Sequence, residues 1–263
     1  MRPVKKTILQ NLYLICVYIF LFLPILVVIA FSFNSSKMNV VFDTFTVKWY
    51  FSLFKNKELL DALFTTLGIA LASTLLSGIM GTLGAFGMHR YDFKGKKLLD
   101  ALLYIPIVIP EIVMGISLLM LFSILQFKLG ILTIILAHVT FSLPFVIVTV
   151  RAKLASFDPY LEEASLDLGA NRFQTFFHIV LPLIWPGVFS GLMLAFTLSL
   201  DDVIITFFTA GPGSNTLPLK IFSMIKVGVS PEVNALFTLM IAFTILCLGG
   251  ATIFQLRKLK PAK

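Results

Sequence analysis

The sequence predicts an all-α integral membrane protein of six transmembrane helices with both termini in the cytoplasm. Three observations carry this. First, 58% of the 263 residues are hydrophobic and only 13% are charged, about half the charged share of a soluble domain. The mean hydropathy is +0.98. A water-soluble fold of this size has too little interior for so much apolar surface, so most of it must meet lipid or other membrane helices. Second, six apolar stretches reach the roughly 20 residues that a helix needs to span a bilayer. They lie near 8–33, 61–88, 98–125, 130–150, 183–209 and 233–256. None alternates with the two-residue period of a barrel strand, so helices are expected. Third, basic residues follow the positive-inside pattern. With the N-terminus inside, the inner segments hold fourteen: Arg2, Lys5, Lys6, Arg90, Lys94, Lys96, Lys97, Arg151, Lys153, Arg172, Arg257, Lys258, Lys260 and Lys263. The outer segments hold seven: Lys37, Lys48, Lys55, Lys57, Lys128, Lys220 and Lys226. Residues 1–263 are expected to form one membrane domain. The net charge of +8 then reflects topology, and no nucleic-acid partner is expected.

The elements follow in order. Lys5 and Lys6 precede an apolar run that reaches Phe33, too long for a cleaved leader, so it is expected to stay as the first helix. The first outer loop, 34–60, holds Trp49 and Tyr50 just before the second span. That span carries Gly78, Gly81, Gly84 and Gly87, and small residues so spaced let helices approach closely in lipid. Pro24, Pro106, Pro110 and Pro144 lie within spans, where each frees backbone groups and can kink its helix. The outer segment 210–232 is rich in turn residues: Gly211, Pro212, Gly213, Pro218 and Pro231. With Lys220, Lys226 and Glu232 it is a dock for a solute-binding protein, a re-entrant piece, or a contact with another membrane subunit. Cys16 and Cys247 sit in apolar runs and read as small hydrophobes. His89, His138 and His178 lack ligand spacing, so no metal or haem is expected.

The inner loop 151–182 is the most informative segment. It reads FDPYLEEASLDLGANRFQTFFHIVLP from Phe157. Asp158 can cap a helix that opens with Pro159. Leu161, Ala164, Ser165 and Leu168 share a face at helical spacing. Gly169 can end that helix in a left-handed turn. Asn171 can cap a second short helix running towards Ile179. The acids Asp158, Glu162, Glu163 and Asp167 stand out among basic inner segments. A helix resting on anionic lipid favours a basic polar face, so a protein partner fits this loop better.

At these residues the chain resembles a family. Bacterial importer permeases of the ABC class carry a cytoplasmic signature: EAA, three residues, Gly, nine residues, then I-x-L-P. Here Glu163, Ala164 and Ser165 precede Gly169, and Ile179, Leu181 and Pro182 follow at matching spacing. Ser165 stands where the family has its second Ala. The resemblance implies a type I ABC importer permease fold. It also implies that these seven residues dock a separate ATP-hydrolysing subunit, two copies of which drive alternating access. It further implies a second permease subunit and an extracytoplasmic solute-binding protein. Within the class, the chain is similar to the smaller permease subunits of spermidine/putrescine importers. Stretches along nearly its whole length carry that likeness. They are FNSS (33–36), VKWY (47–50), RYDFKGK (90–96), PEIVMGISLL (110–119), HVTFSLPFVIVTV (138–150), LSLDDVIITFFTAGP (198–212) and LPLKIFSMIKVGVSPEVNAL (217–236). It implies a multi-pass protein of the bacterial inner membrane with a polyamine cargo.

The residues themselves say how a cation could pass. Glu111 lies in the third span, and Asp201 and Asp202 lie in the fifth. A charge at mid-bilayer costs about 2.5–3.5 kcal/mol on insertion scales, so each acid should face a cavity, a partner or another charge. Carboxylates along a path attract a polycation. Glu111 and Asp201 are expected to line that path. Asp202, about a quarter turn from Asp201, either joins them or locks helix packing by hydrogen bonds. Trp49 and Tyr50 are candidates too, because aromatic faces attract ammonium groups. Interfacial anchoring would place them equally well. There is no G-x-x-x-x-G-K-[ST] loop for ATP phosphates, no catalytic triad and no metal cluster. The chain therefore reads as a cofactor-free transport subunit and not an enzyme. A permease subunit for another small solute and a proton-coupled carrier are the alternatives.

Overall fold

The computed structural model describes residues 8–36, 41–224 and 230–258, and the side chains of 10–36, 41–224 and 230–246. Arg2, Lys5, Lys6, Lys37, Lys226, Lys260 and Lys263, and the side chains of Cys247, Arg257 and Lys258, lie outside the described residues. In chain order the helices are α1 (Ile8–Ser32), α2 (Lys48–Lys55), α3 (Lys57–Arg90), α4 (Lys96–Val108) and α5 (Glu111–Ile124). Then come α6 (Ile131–Leu154), α7 (Tyr160–Asp167) and α8 (Arg172–Thr175). A π-helical turn (Phe176–Val180) leads into α9 (Leu181–Asp201), followed by α10 (Ile204–Thr209), α11 (Leu217–Met224) and α12 (Pro231–Lys258). Among the described residues the only extended pairing is a single bridge between Asn34 and Phe45.

The chain divides into two units, Met1–Leu60 with Ser223–Lys263, and Asp61–Phe222. In the first, α12 packs against α1 and α2. Glu232, at the start of α12, accepts hydrogen bonds from Ser52 Oγ and from Asn56 Nδ2 (2.7 Å). The loop after α1 is closed on buried Asn34, whose Nδ2 donates to the Val41 carbonyl (2.8 Å) and whose Oδ1 accepts from Asp43 N (2.8 Å). Most side chains of α1 are exposed apolar groups, among them Tyr13, Phe20 and Leu26, as expected of a helix meeting lipid.

In the second unit α6 is the central strut, packed against α4, α5, α9 and α10. One apolar cluster joins Ala85, Val146, Val150, Leu154, Val180, Ile184 and Val188. Another joins Met114, Leu118, Phe122, Ala137, Phe141 and Ile205. Of the four glycines expected to bring helices together, two do so. A Cβ on Gly81 would lie 2.7 Å from Val146 Cγ1, and one on Gly78 would overlap Leu192. Gly84 has only an ordinary contact, and Gly87 faces open space.

Two expected spans are broken. The stretch 98–125 is not one helix. It is α4 and α5, bent by 112° at Ile109–Pro110. Proline at 110 has no N–H for the preceding turn, and it pushes Ile109 to extended backbone (φ −68°, ψ 134°). The fifth stretch ends at Asp201 and restarts at Ile204. At its other end it does not begin near 183. Arg172 to Asp201 runs on as one helical body through the π-turn. Pro182 cannot donate to the carbonyl four residues back, and Leu181 N instead bonds the Phe176 carbonyl five back. Among the described residues, four helices are long and apolar enough to cross a membrane, or five if the bent pair counts as one. The sixth expected stretch falls in α12, whose described apolar part, Pro231–Leu246, is shorter.

Candidate functional site

The first half of the loop from α6 to α9 forms as the sequence predicts, whereas the expected second short helix is the first part of the helical body that runs on to Asp201. Asp158 Oδ1 accepts from Tyr160 N at 3.0 Å and α7 follows. Gly169 takes φ +90°, a left-handed conformation that costs an L side chain roughly 1–2 kcal/mol. Asn171 and Gln174 make a reciprocal capping box, each accepting at 2.9 Å from the other's N–H. Ser165 Oγ meets Thr175 Oγ1 at 3.0 Å and ties α7 to α8. Arg90 Nε donates to Glu162 at 2.8 Å, and Arg172 Nη1 donates to Tyr91 Oη at 3.3 Å. Both bonds hold the loop to the end of α3. Glu163, Ala164, Gly169 and Pro182 are exposed, and Ser165, Ile179 and Leu181 are half-buried. No residue of α7 is buried. Leu168 is 89% exposed, with Tyr160, Leu161 and Phe173 also open. Apolar side chains beside an acid on a rigid, bare helix form a face suited to a protein partner.

The broken spans meet at a cavity of about 490 Å³. Its walls include Pro106, Pro110, Glu111, Phe141, Phe145, Asp201 and Asp202. Residues ninety positions apart are thus brought together because α5 packs on α10 and α10 on α6. Glu111 opens α5 directly after Pro110, and Asp201 closes α9. Both are exposed, and neither carboxylate is in an ion pair among the described residues. Asp202 differs, being nearly buried. Its Oδ1 accepts from Ile205 N (3.2 Å), and its Oδ2 from Thr206 N and Thr206 Oγ1 (both 2.7 Å). It caps α10, supplying acceptors that the interrupted helix cannot. His138 Nε2 lies 3.3 Å from Asp202 Oδ2.

Trp49 and Tyr50 belong to the other unit, and each has local partners. Trp49 is buried and its Nε1 donates to the Asn34 carbonyl at 2.6 Å, while Lys48 Nζ sits 4.5 Å from its ring centre. Tyr50 Oη meets Ser32 Oγ at 2.7 Å, and its ring packs on Phe33.

Sequence reasoning missed His138. It assessed the histidines only for metal-ligand spacing. The signal available was paired polar residues at four-residue spacing on two spans, Ser73 with Ser77 and His138 with Ser142, each pair on one helix face. Ser77 Oγ meets Ser142 Oγ at 2.7 Å.

Similarity to known proteins shows the family of the chain. The family profile described as the binding-protein-dependent transport system inner membrane component matches residues 78–260. The chain is 42% identical over 253 residues to the spermidine/putrescine transport system permease protein PotC of Escherichia coli strain K12, covering 96% of each. It is 41% identical over 241 residues to the protein of the same name from Haemophilus influenzae (92% of this chain, 94% of the relative). It is 39% identical over 246 residues to the putrescine transport system permease protein PotI of Escherichia coli strain K12 (91% and 88%). In fold it is similar to a chain of a bacterial ABC transporter involved in the import of the acidic polysaccharide alginate, with TM-score 0.71, 13% identity and 99% of both chains covered. A chain of an amino acid ABC transporter gives TM-score 0.57 at 18% identity, over 79% of this chain and 98% of that one. The profile spans more than half the sequence and the identities run nearly end to end, so the chain belongs to the family of binding-protein-dependent transport system inner membrane components, the permease subunits of ABC importers.

Proposed function

We propose that this chain is a permease subunit of a polyamine importer, moving spermidine or putrescine across the bacterial inner membrane by alternating access. The observation that carries the reading is the cavity. It presents Glu111 and Asp201 without ion-pair partners, in a chain 42% identical to a spermidine/putrescine permease. Two carboxylates on the wall of one open cavity offer a diamine or triamine attraction without a closed cage. Asp202 is part of the route chiefly as the cap that shapes it. Trp49 and Tyr50 are part of the reading only through their ring faces, since Trp49 Nε1 and Tyr50 Oη are already engaged within their own unit.

The chain works as one permease domain of six spans, with α12 as the sixth and both termini cytoplasmic. The excess of basic residues on the inner segments supports that orientation. The loop 151–182 then faces the ATPase, with Glu163, Ala164, Ser165, Gly169, Ile179, Leu181 and Pro182 as the coupling residues. A second permease and a solute-binding protein complete the machine.

The test is polyamine uptake by the assembled importer carrying Glu111→Gln, Asp201→Asn or both. Each single change is expected to lower the rate about tenfold and the pair further, with assembly unchanged, since about 1.4 kcal/mol of lost stabilisation is a factor of ten. Wild-type uptake by the double variant refutes the reading.

A further inference from the structure

His138 is buried, 1% exposed, and does not line the cavity, yet its ring spans the break between α9 and α10. Nδ1 lies 2.6 Å from Ser199 Oγ, in the last turn of α9. Nε2 lies 3.0 Å from Thr206 Oγ1, beyond the break, and 3.3 Å from Asp202 Oδ2.

Hydrogen accounting fixes one end of this bridge. Thr206 Oγ1 has a single hydrogen, and it goes to Asp202 Oδ2 at 2.7 Å. Toward Nε2 the hydroxyl can only accept, so Nε2 carries a hydrogen and donates it. In the neutral ring Nδ1 then accepts from Ser199. Ser199 Oγ in turn meets Ser73 Oγ on α3 at 3.1 Å. One side chain on α6 therefore fastens both sides of the interrupted span. Inside an apolar bundle such a network must be complete, because an orphaned buried polar group has no water to turn to.

We propose that His138 is a positioning residue for the cavity. It staples the break, keeps the Asp202 carboxylate engaged on α10, and so leaves Asp201 as the carboxylate of that pair that stands at the cavity without an ion-pair partner. This rests on the reading of the cavity as part of the polyamine route. His138 acts through its neighbours and not on the cargo.

The test uses the complete importer in liposomes, with the uptake rate expressed per assembled complex. His138→Phe keeps bulk and removes both hydrogen bonds. His138→Gln keeps one donor and one acceptor. His138→Phe is expected to lower the rate about tenfold and His138→Gln by less than about threefold. In an Asp201→Asn background His138→Phe should add less than about twofold, because the group it misplaces is already gone. A purely structural role predicts less assembled complex but an unchanged rate per complex, and that outcome overturns the proposal. So does an equal fold loss in both backgrounds. Should His138→Phe not assemble, Ser199→Ala removes the Nδ1 partner, and the Ser73 contact with it, while Nε2 keeps its own partners. It is expected to show a smaller loss with the same non-additivity, and a wild-type rate overturns the staple. Normal transport by Asp201→Asn sinks the cavity reading itself. A clear Asp201→Asn defect beside an unaffected His138→Phe sinks only the staple.

Discussion

In the loop between α6 and α9, every residue that shapes the backbone lies within a turn or two of what it shapes. Asp158 caps its own helix, Gly169 ends it, and Asn171 boxes with Gln174. Around the cavity the opposite holds. Pro110 breaks one span, Asp202 mends the break in another, and His138 on a third helix joins the mended ends. The loop is a surface device whose determinants are local and whose faults water can repair. The cavity rests on buried supports, Asp202 and His138, whose determinants are dispersed and whose faults nothing can repair. Substitutions should therefore cost more at the cavity than chemically similar ones cost at the loop.

The largest effect is expected at Asp202. Replacing it with Leu leaves the N–H groups of Ile205 and Thr206 and the Thr206 hydroxyl without their acceptor. Each buried donor left unsatisfied costs about 1–3 kcal/mol. Asp202→Leu should thus remove most of the folded permease from membranes, as read by detergent-solubilised yield and thermal stability. Asp202→Asn keeps one acceptor oxygen and should lose much less. If Asp202→Leu assembles and melts like the wild type, the contrast between the two regions is broken.

A smaller loss is expected at Gly169. Its φ of +90° is poorly tolerated by a β-branched residue, and Gly169→Val should cost the loop roughly 1–2 kcal/mol. The strain falls on an exposed turn, so the chain should still fold. The expected readout is weaker co-purification of the ATPase and slower ATP-driven uptake, with membrane yield preserved. A collapse in yield would show that the loop is as tightly coupled to the core as the cavity is.

The same contrast explains what could be read beforehand. The caps, the left-handed glycine and the exposed acidic helix of the loop are local and were legible residue by residue. The spans were legible as apolar runs, but their interruptions were not. Pro110 announced a kink, yet a 112° bend depends on α5 finding α10 and α6 to pack on. Nothing near Asp202 marks a break, because Ser199 to Thr206 reads as a plain apolar helix apart from its two acids. Asp201 and Asp202 were legible as alternatives facing different ways. Asp202 is the one held by hydrogen bonds, and one of the groups beside it is His138, sixty-four positions earlier in the sequence, which no local pattern carries. The helix of the fifth stretch reaches back to Arg172, past Pro182, because a π-turn lets it pass through.

The smallest effect belongs to the ion pair between Arg90 and Glu162. Its nitrogen and oxygen are 2.8 Å apart, and the arginine side chain is 42% exposed. An exposed pair of this kind contributes about 0.2–1 kcal/mol. Its value lies in position, because it fastens α7 to the end of α3 immediately beside Glu163. Arg90→Glu alone sets two acids together and should loosen the loop, raising backbone hydrogen exchange over 158–169. Glu162→Arg alone should do the same by pairing two cations. The exchanged pair, Arg90→Glu with Glu162→Arg, restores opposite charges and should return exchange most of the way to the wild-type level. High salt should shrink all these differences, since the pair is solvent-screened. A single reversal that halts uptake as completely as Asp202→Leu would mean that this surface bond is not a local fastening at all. It would then be a link on which the buried cavity depends.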